Sequence, residues 1–274
     1  MEAHGTALVT GAGRGLGRAL AIELAARGFD VVAGLRSPQA ASGLAERAGQ
    51  LLGSITIVHL DVTDSETITI PAGLRVLVNN AGVDTQYLPV ENADDDDWRA
   101  VFETNFFGAL QVTKRAIPVL RASGGGVLCN ITSAALLFPM PLYAAYRASK
   151  AALSALGESL AGELAQFGIR VLEIQPGPIR TDMLAASARE PEAARNPLYR
   201  ELARRAHEGR MAVEGATTAA DEAAAAIVDS ILDDAAPLRC ACDGVGRDLQ
   251  TGRDAATDAD WQRSMSGAFV PERR

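Results

Sequence analysis

Two hydrophobic spacings alternate along this chain. Short apolar runs such as Thr6-Ala7-Leu8-Val9-Thr10 and Val31-Val32-Ala33-Gly34-Leu35 read as strands. Between them Leu16, Leu20, Ile22, Leu24 and Ala25 recur at helical intervals up to Gly28. Strands are predicted near 6–10, 31–35, 55–60, 75–79, 126–131, 169–174 and 238–242, each separated from the next by a helical pattern. That alternation implies a parallel sheet with helices on both faces. The expected order is 3-2-1-4-5-6-7, with strands numbered along the chain. Long helices with Ala-rich and Leu-rich faces are predicted at about 98–120 and 144–166. The acidic run Asn92 to Asp97 reads as an N-cap that complements the dipole of the first of them. Between Asp61 and Asn79, Thr67-Ile68-Thr69-Ile70-Pro71 alternates like a strand, and Pro71 would break a helix. A truncated or irregular helix is expected there.

The first strand feeds Gly11-Ala12-Gly13-Arg14-Gly15-Leu16-Gly17. Glycines let backbone approach a pyrophosphate, and the following helix offers free N–H groups and a positive dipole end. The strict G-x-G-x-x-G spacing is not met; the pattern is T-G-x-x-x-G-x-G, carried by Gly11, Gly15 and Gly17. An NAD site usually places an acid at the end of the second strand to bond the ribose 2′-OH. Here that strand ends in Leu35-Arg36-Ser37. Arg36 and Arg14 suit a 2′-phosphate, and Ser37 adds a hydrogen-bond donor, so NADP(H) is expected in preference to NAD(H), which remains possible.

Tyr146-Arg147-Ala148-Ser149-Lys150 sets a phenol and an ammonium four residues apart on one helical face. A nearby cation favours the phenolate, so Tyr146 and Lys150 are candidates for a general acid/base unit.

With these segments in view, the chain resembles the short-chain dehydrogenase/reductase family over roughly residues 5 to 182. Five motifs stand in the family's order: Thr10 to Gly17, Asn79-Asn80-Ala81-Gly82, Asn105 in Thr104-Asn105-Phe106-Phe107-Gly108, Ser133 with Tyr146 and Lys150, and Pro176-Gly177-Pro178-Ile179-Arg180-Thr181. The resemblance implies an α/β fold: a Rossmann-type, doubly wound parallel sheet in a single domain, 1–274, with a substrate lid at about 183–215. It implies that Tyr146 exchanges the proton of the carbonyl or alcohol. Lys150 would lower the Tyr146 pKa and hold the nicotinamide ribose, Ser133 would hold the substrate oxygen, and Asn105 a water linked to Lys150. The remaining cofactor contacts it implies are Leu16 in the glycine turn, Asp61 and Val62 near the adenine, and Asn80, Ala81 and Gly82 beside the ribose. Pro176, Gly177, Ile179 and Thr181 would hold the nicotinamide. Asn79 reads as a residue that pins the sheet, and Tyr143, which no motif requires, as a bystander. The ending Leu238-Arg239-Cys240-Ala241-Cys242-Asp243-Gly244 lacks the more usual V-D-G-G and resembles the branch that includes many steroid- and retinoid-type dehydrogenases.

Composition narrows the rest. A net charge of −8 disfavours nucleic acid and anionic membrane surfaces, and no apolar run approaches a membrane span. The first residues show no signal peptide, and three cysteines fit a reduced, cytoplasmic protein. Three widely spaced histidines supply no metal set. The cysteines read as small buried apolar residues, with Cys240 and Cys242 on one strand face. Met183, Leu184, Leu202 and Met211 in the lid, with Leu136 to Met140 after Ser133, suit an apolar ketone or secondary alcohol. The lid arginines, Arg210 among them, read as solvent-facing. In the family the long helices pair between subunits, so a homodimer or homotetramer is expected. An epimerase or dehydratase on the same scaffold, or a dinucleotide-sensing protein, is the alternative.

Overall fold

The computed structural model describes residues 1–41, 43, 44, 49, 51–187, 189–212, 214–267 and 269. The described residues form nine strands: β1 (Thr6–Thr10), β2 (Asp30–Leu35), β3 (Ser54–His59), β4 (Leu74–Asn79), β5 (Gly126–Ile131), β6 (Ile169–Ile174), β7 (Ile179–Arg180), β8 (Thr218–Ala219) and β9 (Arg239–Cys240). Seven of them form one parallel sheet in the order β3-β2-β1-β4-β5-β6-β9. The expected order therefore holds, its last strand being ninth along the chain because β7 and β8 pair separately. That last strand is shorter than 238–242, so Cys242 lies beyond it yet packs in the same core as Cys240.

Strand geometry explains the two-sided core. Side chains alternate faces along a strand. In β1, Ala7 and Val9 join one apolar cluster and Leu8 joins the other; in β5, Val127 and Cys129 oppose Leu128. The first cluster is closed by α1 (Gly15–Arg27), through Leu20 and Leu24, and by a helix at Ala220–Leu232, through Ile227 and Ile231. The second is closed by Val112 and Leu120 of a helix at Ala109–Ala122, and by Leu160 and Leu164 of one at Ala144–Leu164. Each such Leu or Ile, fully removed from water, contributes about 1.5–3 kcal/mol.

Numbered in order, the helices after α1 are α2 (Asp95–Phe102), α3 (Ala109–Ala122), α4 (Ala144–Leu164), α5 (Asp182–Ser187), α6 (Arg200–Ala212), α7 (Ala220–Leu232), α8 (Gly244–Ala255) and α9 (Asp258–Gly267). The single helix expected at 98–120 is thus divided. Glu103–Gly108 winds as a π-helical segment between α2 and α3. Asp94 caps α2 by accepting from the Asp96 N–H at 2.9 Å, with three further acids in the first turn. The crossover from Asp61 to β4 carries no helix. Ile68 covers the sheet there, packed with Leu60 and Leu74, while Arg115 donates to the carbonyls of Ser65 and Ile68 at 2.6 and 2.7 Å.

Strand order reverses between β1 and β4, so their carboxyl ends open a crevice. The Asn79 amide pins its floor, donating to Asn130 Oδ1 at 2.9 Å and to Thr113 Oγ1 at 2.8 Å.

Candidate active site

A cleft of about 640 Å³ runs along that crevice. Its first half is built by the β1 turn. Gly11 takes φ +65°, and a Cβ there would come within 2.9 Å of the Ala81 backbone. A Cβ on Gly17 would overlap the Asn80 amide and the Gly11 carbonyl. The glycines therefore let two turns meet. Thr10 and Asn80 lock them: Thr10 Oγ1 accepts from the N–H groups of Asn80 and Ala81 at 3.1 and 3.0 Å, and Asn80 Nδ2 donates to the Thr10 carbonyl at 2.9 Å. Arg14 caps α1 without a side-chain acceptor. The first-turn N–H groups thus keep their capacity for an anion. Arg36 and Ser37, at the end of β2, line the cleft, as do Asp61 and Val62 after the neighbouring β3. Arg14 is 79% exposed and stands 3.8 Å from Asp182.

The other half is built by β5, α4 and the turn after β6. Ser133, Tyr146 and Lys150 all line it, as do Pro176, Gly177, Ile179 and Thr181. Tyr146 and Lys150 are 7% and 4% exposed. Burial pushes the Tyr146 phenol above the ordinary tyrosine range, and a hydrogen bond from Ser133 pulls the other way. Burial lowers Lys150 to about 8. The ammonium donates to the Ile131 carbonyl at 2.8 Å and lies 5.8 Å from the Tyr146 ring centre. In this geometry, desolvation outweighs the downward pull on the phenol that the motif alone suggests.

Asn105 is the one predicted site residue outside the cleft lining. The π-helical segment turns it inward, where its amide brackets Val83: Oδ1 accepts from the Val83 N–H at 2.8 Å and Nδ2 donates to the Val83 carbonyl at 3.0 Å. Nδ2 also donates to Ser149 Oγ at 3.0 Å. Gly82 passes between this amide and the Lys150 ammonium; a Cβ on it would stand 3.3 and 3.4 Å from them.

Known proteins place this arrangement. The short chain dehydrogenase model matches residues 5–192. The chain belongs to the short-chain dehydrogenase/reductase family. An uncharacterized oxidoreductase, YusZ of Bacillus subtilis, is 39% identical over 191 residues, 66% of this chain and 67% of that protein. A trans-4-hydroxycyclohexanecarboxylate dehydrogenase of Sinomonas cyclohexanicum is 37% identical over 201 residues, 68% of this chain and 77% of that one. The crystal structure of a short-chain dehydrogenase from Burkholderia cenocepacia in complex with NADP superposes with TM-score 0.76 at 28% identity, covering 99% of this chain and 100% of that one.

Several residues of this short-chain dehydrogenase escape motif reading. Tyr143, which no motif requires, lines the cleft and stacks on Tyr146, ring centres 4.6 Å apart. Asp84 also lines the cleft, and its Oδ2 accepts from the hydroxyls of Tyr87 and Tyr143 at 2.9 and 3.1 Å. Arg210 faces inward over Tyr87, contrary to the solvent-facing reading, whereas Arg195 and Arg204 do pair with carboxylates in solvent. Asp243 caps α8 and accepts from the Gly177 N–H at 2.6 Å, tying the Pro176 turn to the C-terminal helices. Only Met183 and Leu184 of the expected lid line the cleft, and Leu136 to Met140 do not; lid residues 188 and 213 lie outside the described residues. Trp261 of α9 instead bonds the Leu137 carbonyl. Contacts across such sequence distances carry no local signal. Among the described residues no helix is long and apolar enough to cross a membrane, and no cluster of His, Cys, Asp or Glu is placed to hold a metal ion.

Proposed function

We propose that this dehydrogenase moves a hydride between NADP(H) and an apolar ketone or secondary alcohol. The observation that carries the reading is one continuous cleft with Arg14, Arg36 and Ser37 at one end and Ser133, Tyr146 and Lys150 at the other. The glycine floor and the open helix N-terminus fit a dinucleotide pyrophosphate, and two arginines with no acid at the end of β2 fit a 2′-phosphate. The NADP-bound relative from Burkholderia supports the cofactor choice, and the Sinomonas relative, a trans-4-hydroxycyclohexanecarboxylate dehydrogenase, supports a secondary alcohol.

The dinucleotide, when bound, supplies or accepts the hydride. The protein's residues handle the oxygen and its proton. Ser133 holds the substrate oxygen by hydrogen bonding, and Tyr146, kept protonated by burial, gives that oxygen its proton in reduction. Lys150 holds positive charge beside the ring and would hold the ribose hydroxyls of the nicotinamide half. Asn105 holds the Val83 backbone, and through it the wall beside Lys150. Val62, Ala81 and Leu16 would pack against the nucleoside half, and Pro176, Ile179 and Thr181 would hold the nicotinamide end. Residues 183–215 act as the substrate lid, and the faces of α3 and α4 join subunits into a dimer or tetramer.

The test is Tyr146→Phe. NADPH binding that persists while turnover disappears supports the reading; turnover that survives the substitution contradicts it.

A further inference from the structure

Five side chains form a continuous column from α6 to the reacting phenol. The Arg210 guanidinium lies 3.9 Å from the centre of the Tyr87 ring. Tyr87 and Tyr143 follow at 5.1 Å between ring centres, with planes 34° apart. Tyr143 and Tyr146 come next at 4.6 Å and 23°, and Lys150 ends the column. Asp84 ties the middle together by accepting both the Tyr87 and the Tyr143 hydroxyls on one oxygen.

Arg210 departs from the usual behaviour of a helix arginine. Its three guanidinium nitrogens are buried and hydrogen-bond to nothing among the described residues. A buried cation without acceptors is costly. Among the described residues it is compensated by the face of the Tyr87 ring and by the charge of Asp84 beyond it. Arg204 and Arg205, on the same helix, instead bond Glu201 in solvent. The position of α6 is thus registered on the Tyr87 ring.

We infer that Tyr143 is a positioning residue for Tyr146, and that Arg210 transmits the position of α6 to it through the Tyr87 ring. The phenol of Tyr146 has one ring face against Tyr143, so its place over the cleft depends on where Tyr143 is held. Asp84 holds Tyr143 by its hydroxyl, and Tyr87 with Arg210 closes the stack from the other side. Docking of α6 and the aim of the proton donor then change together. This inference rests on the proposed role of Tyr146.

Two measurements test it. In the first, kcat, substrate KM and NADPH affinity are compared for Tyr143→Phe, which keeps the ring, and Tyr143→Leu, which removes it. Loss of a ring that aims a reacting group is expected to lower kcat roughly 100-fold at unchanged NADPH affinity. The Phe variant is expected to lose only about threefold, the scale of one net hydrogen bond. Equal losses in the two variants, or a Leu variant within about threefold of wild type, would overturn the stacking role.

The second measurement does not depend on turnover. The chain has four tyrosines, so 3-fluorotyrosine labelling yields four ¹⁹F signals, and Tyr146→Phe assigns one of them. The Tyr146 signal is expected to shift or broaden in Arg210→Met, although two rings separate the residues. A Tyr146 signal unmoved by Arg210→Met overturns the transmission. If the wild type turns over no carbonyl or alcohol, the reading of Tyr146 fails, and the ¹⁹F signal alone decides whether the column couples helix and ring.

Discussion

The Lys150 ammonium donates to the Ile131 carbonyl at 2.8 Å, under a cover that leaves the side chain 4% exposed. Burial costs a charged lysine more than a neutral one, which is why its value falls to about 8 from an ordinary 10.5. Between those two values the unfolded chain holds the proton and the folded chain releases it. Stability therefore rises with pH across that window, and the cost is fully present below pH 8. Lys150→Met removes the titration. Comparing denaturant midpoints from pH 7 to 10.5 should show wild type gaining about 3 kcal/mol on the variant. Parallel curves would contradict the buried, shifted lysine.

Tyr146→Phe removes one hydroxyl and leaves the ring between Tyr143 and Lys150. General acid catalysis is worth roughly 10²–10⁴ in rate. We predict a loss of that size in kcat with NADPH affinity unchanged, read by steady-state kinetics and by quenching of protein fluorescence.

Arg36 lines the cleft at the end of β2, and the proposed function gives it the 2′-phosphate. Arg36→Ala is predicted to weaken NADPH by about tenfold and NADH by less than about twofold, as loss of one charge-assisted pair requires. Equal weakening in calorimetric titrations would remove Arg36 from the phosphate site.

Gly17 is pressed against the Asn80 amide and the Gly11 carbonyl. Gly17→Ala should cost about 1–3 kcal/mol of stability by overpacking, and should abolish dinucleotide binding by parting the two turns. A thermal midpoint and NADPH affinity both matching wild type would refute the close approach.

The sequence carried the sheet order and the glycine turn of the cleft, with Ser133, Tyr146 and Lys150 at its other end. Strands buried on both faces and glycines at a backbone crossing both impose local constraints, visible as apolar runs and as the T-G-x-x-x-G-x-G turn. What it hid depends on distance along the chain. Nothing near Asn105 signals that a π-helical turn will aim it at Val83 rather than at the cleft. Tyr143, seven residues before Lys150, looked incidental because its partners Asp84 and Tyr87 sit some sixty residues upstream. Arg210 shares its helix with solvated arginines and differs from them only in which face it occupies. The division of 98–120 into three pieces is equally silent in the sequence: the π-helical segment ends at Gly108, where a Cβ would come within 2.7 Å of Val62, a residue far upstream.

The central claim is tested most directly by following cofactor consumption against a panel of cyclic and aryl ketones, secondary alcohols, sugars and polyols, with NADP(H) and NAD(H) in parallel. The predicted result is turnover of apolar ketones or their alcohols, with kcat/KM favouring NADP(H) by about tenfold or more. Turnover confined to small polar sugars, or tight NADPH binding with no consumption across the panel, would contradict it.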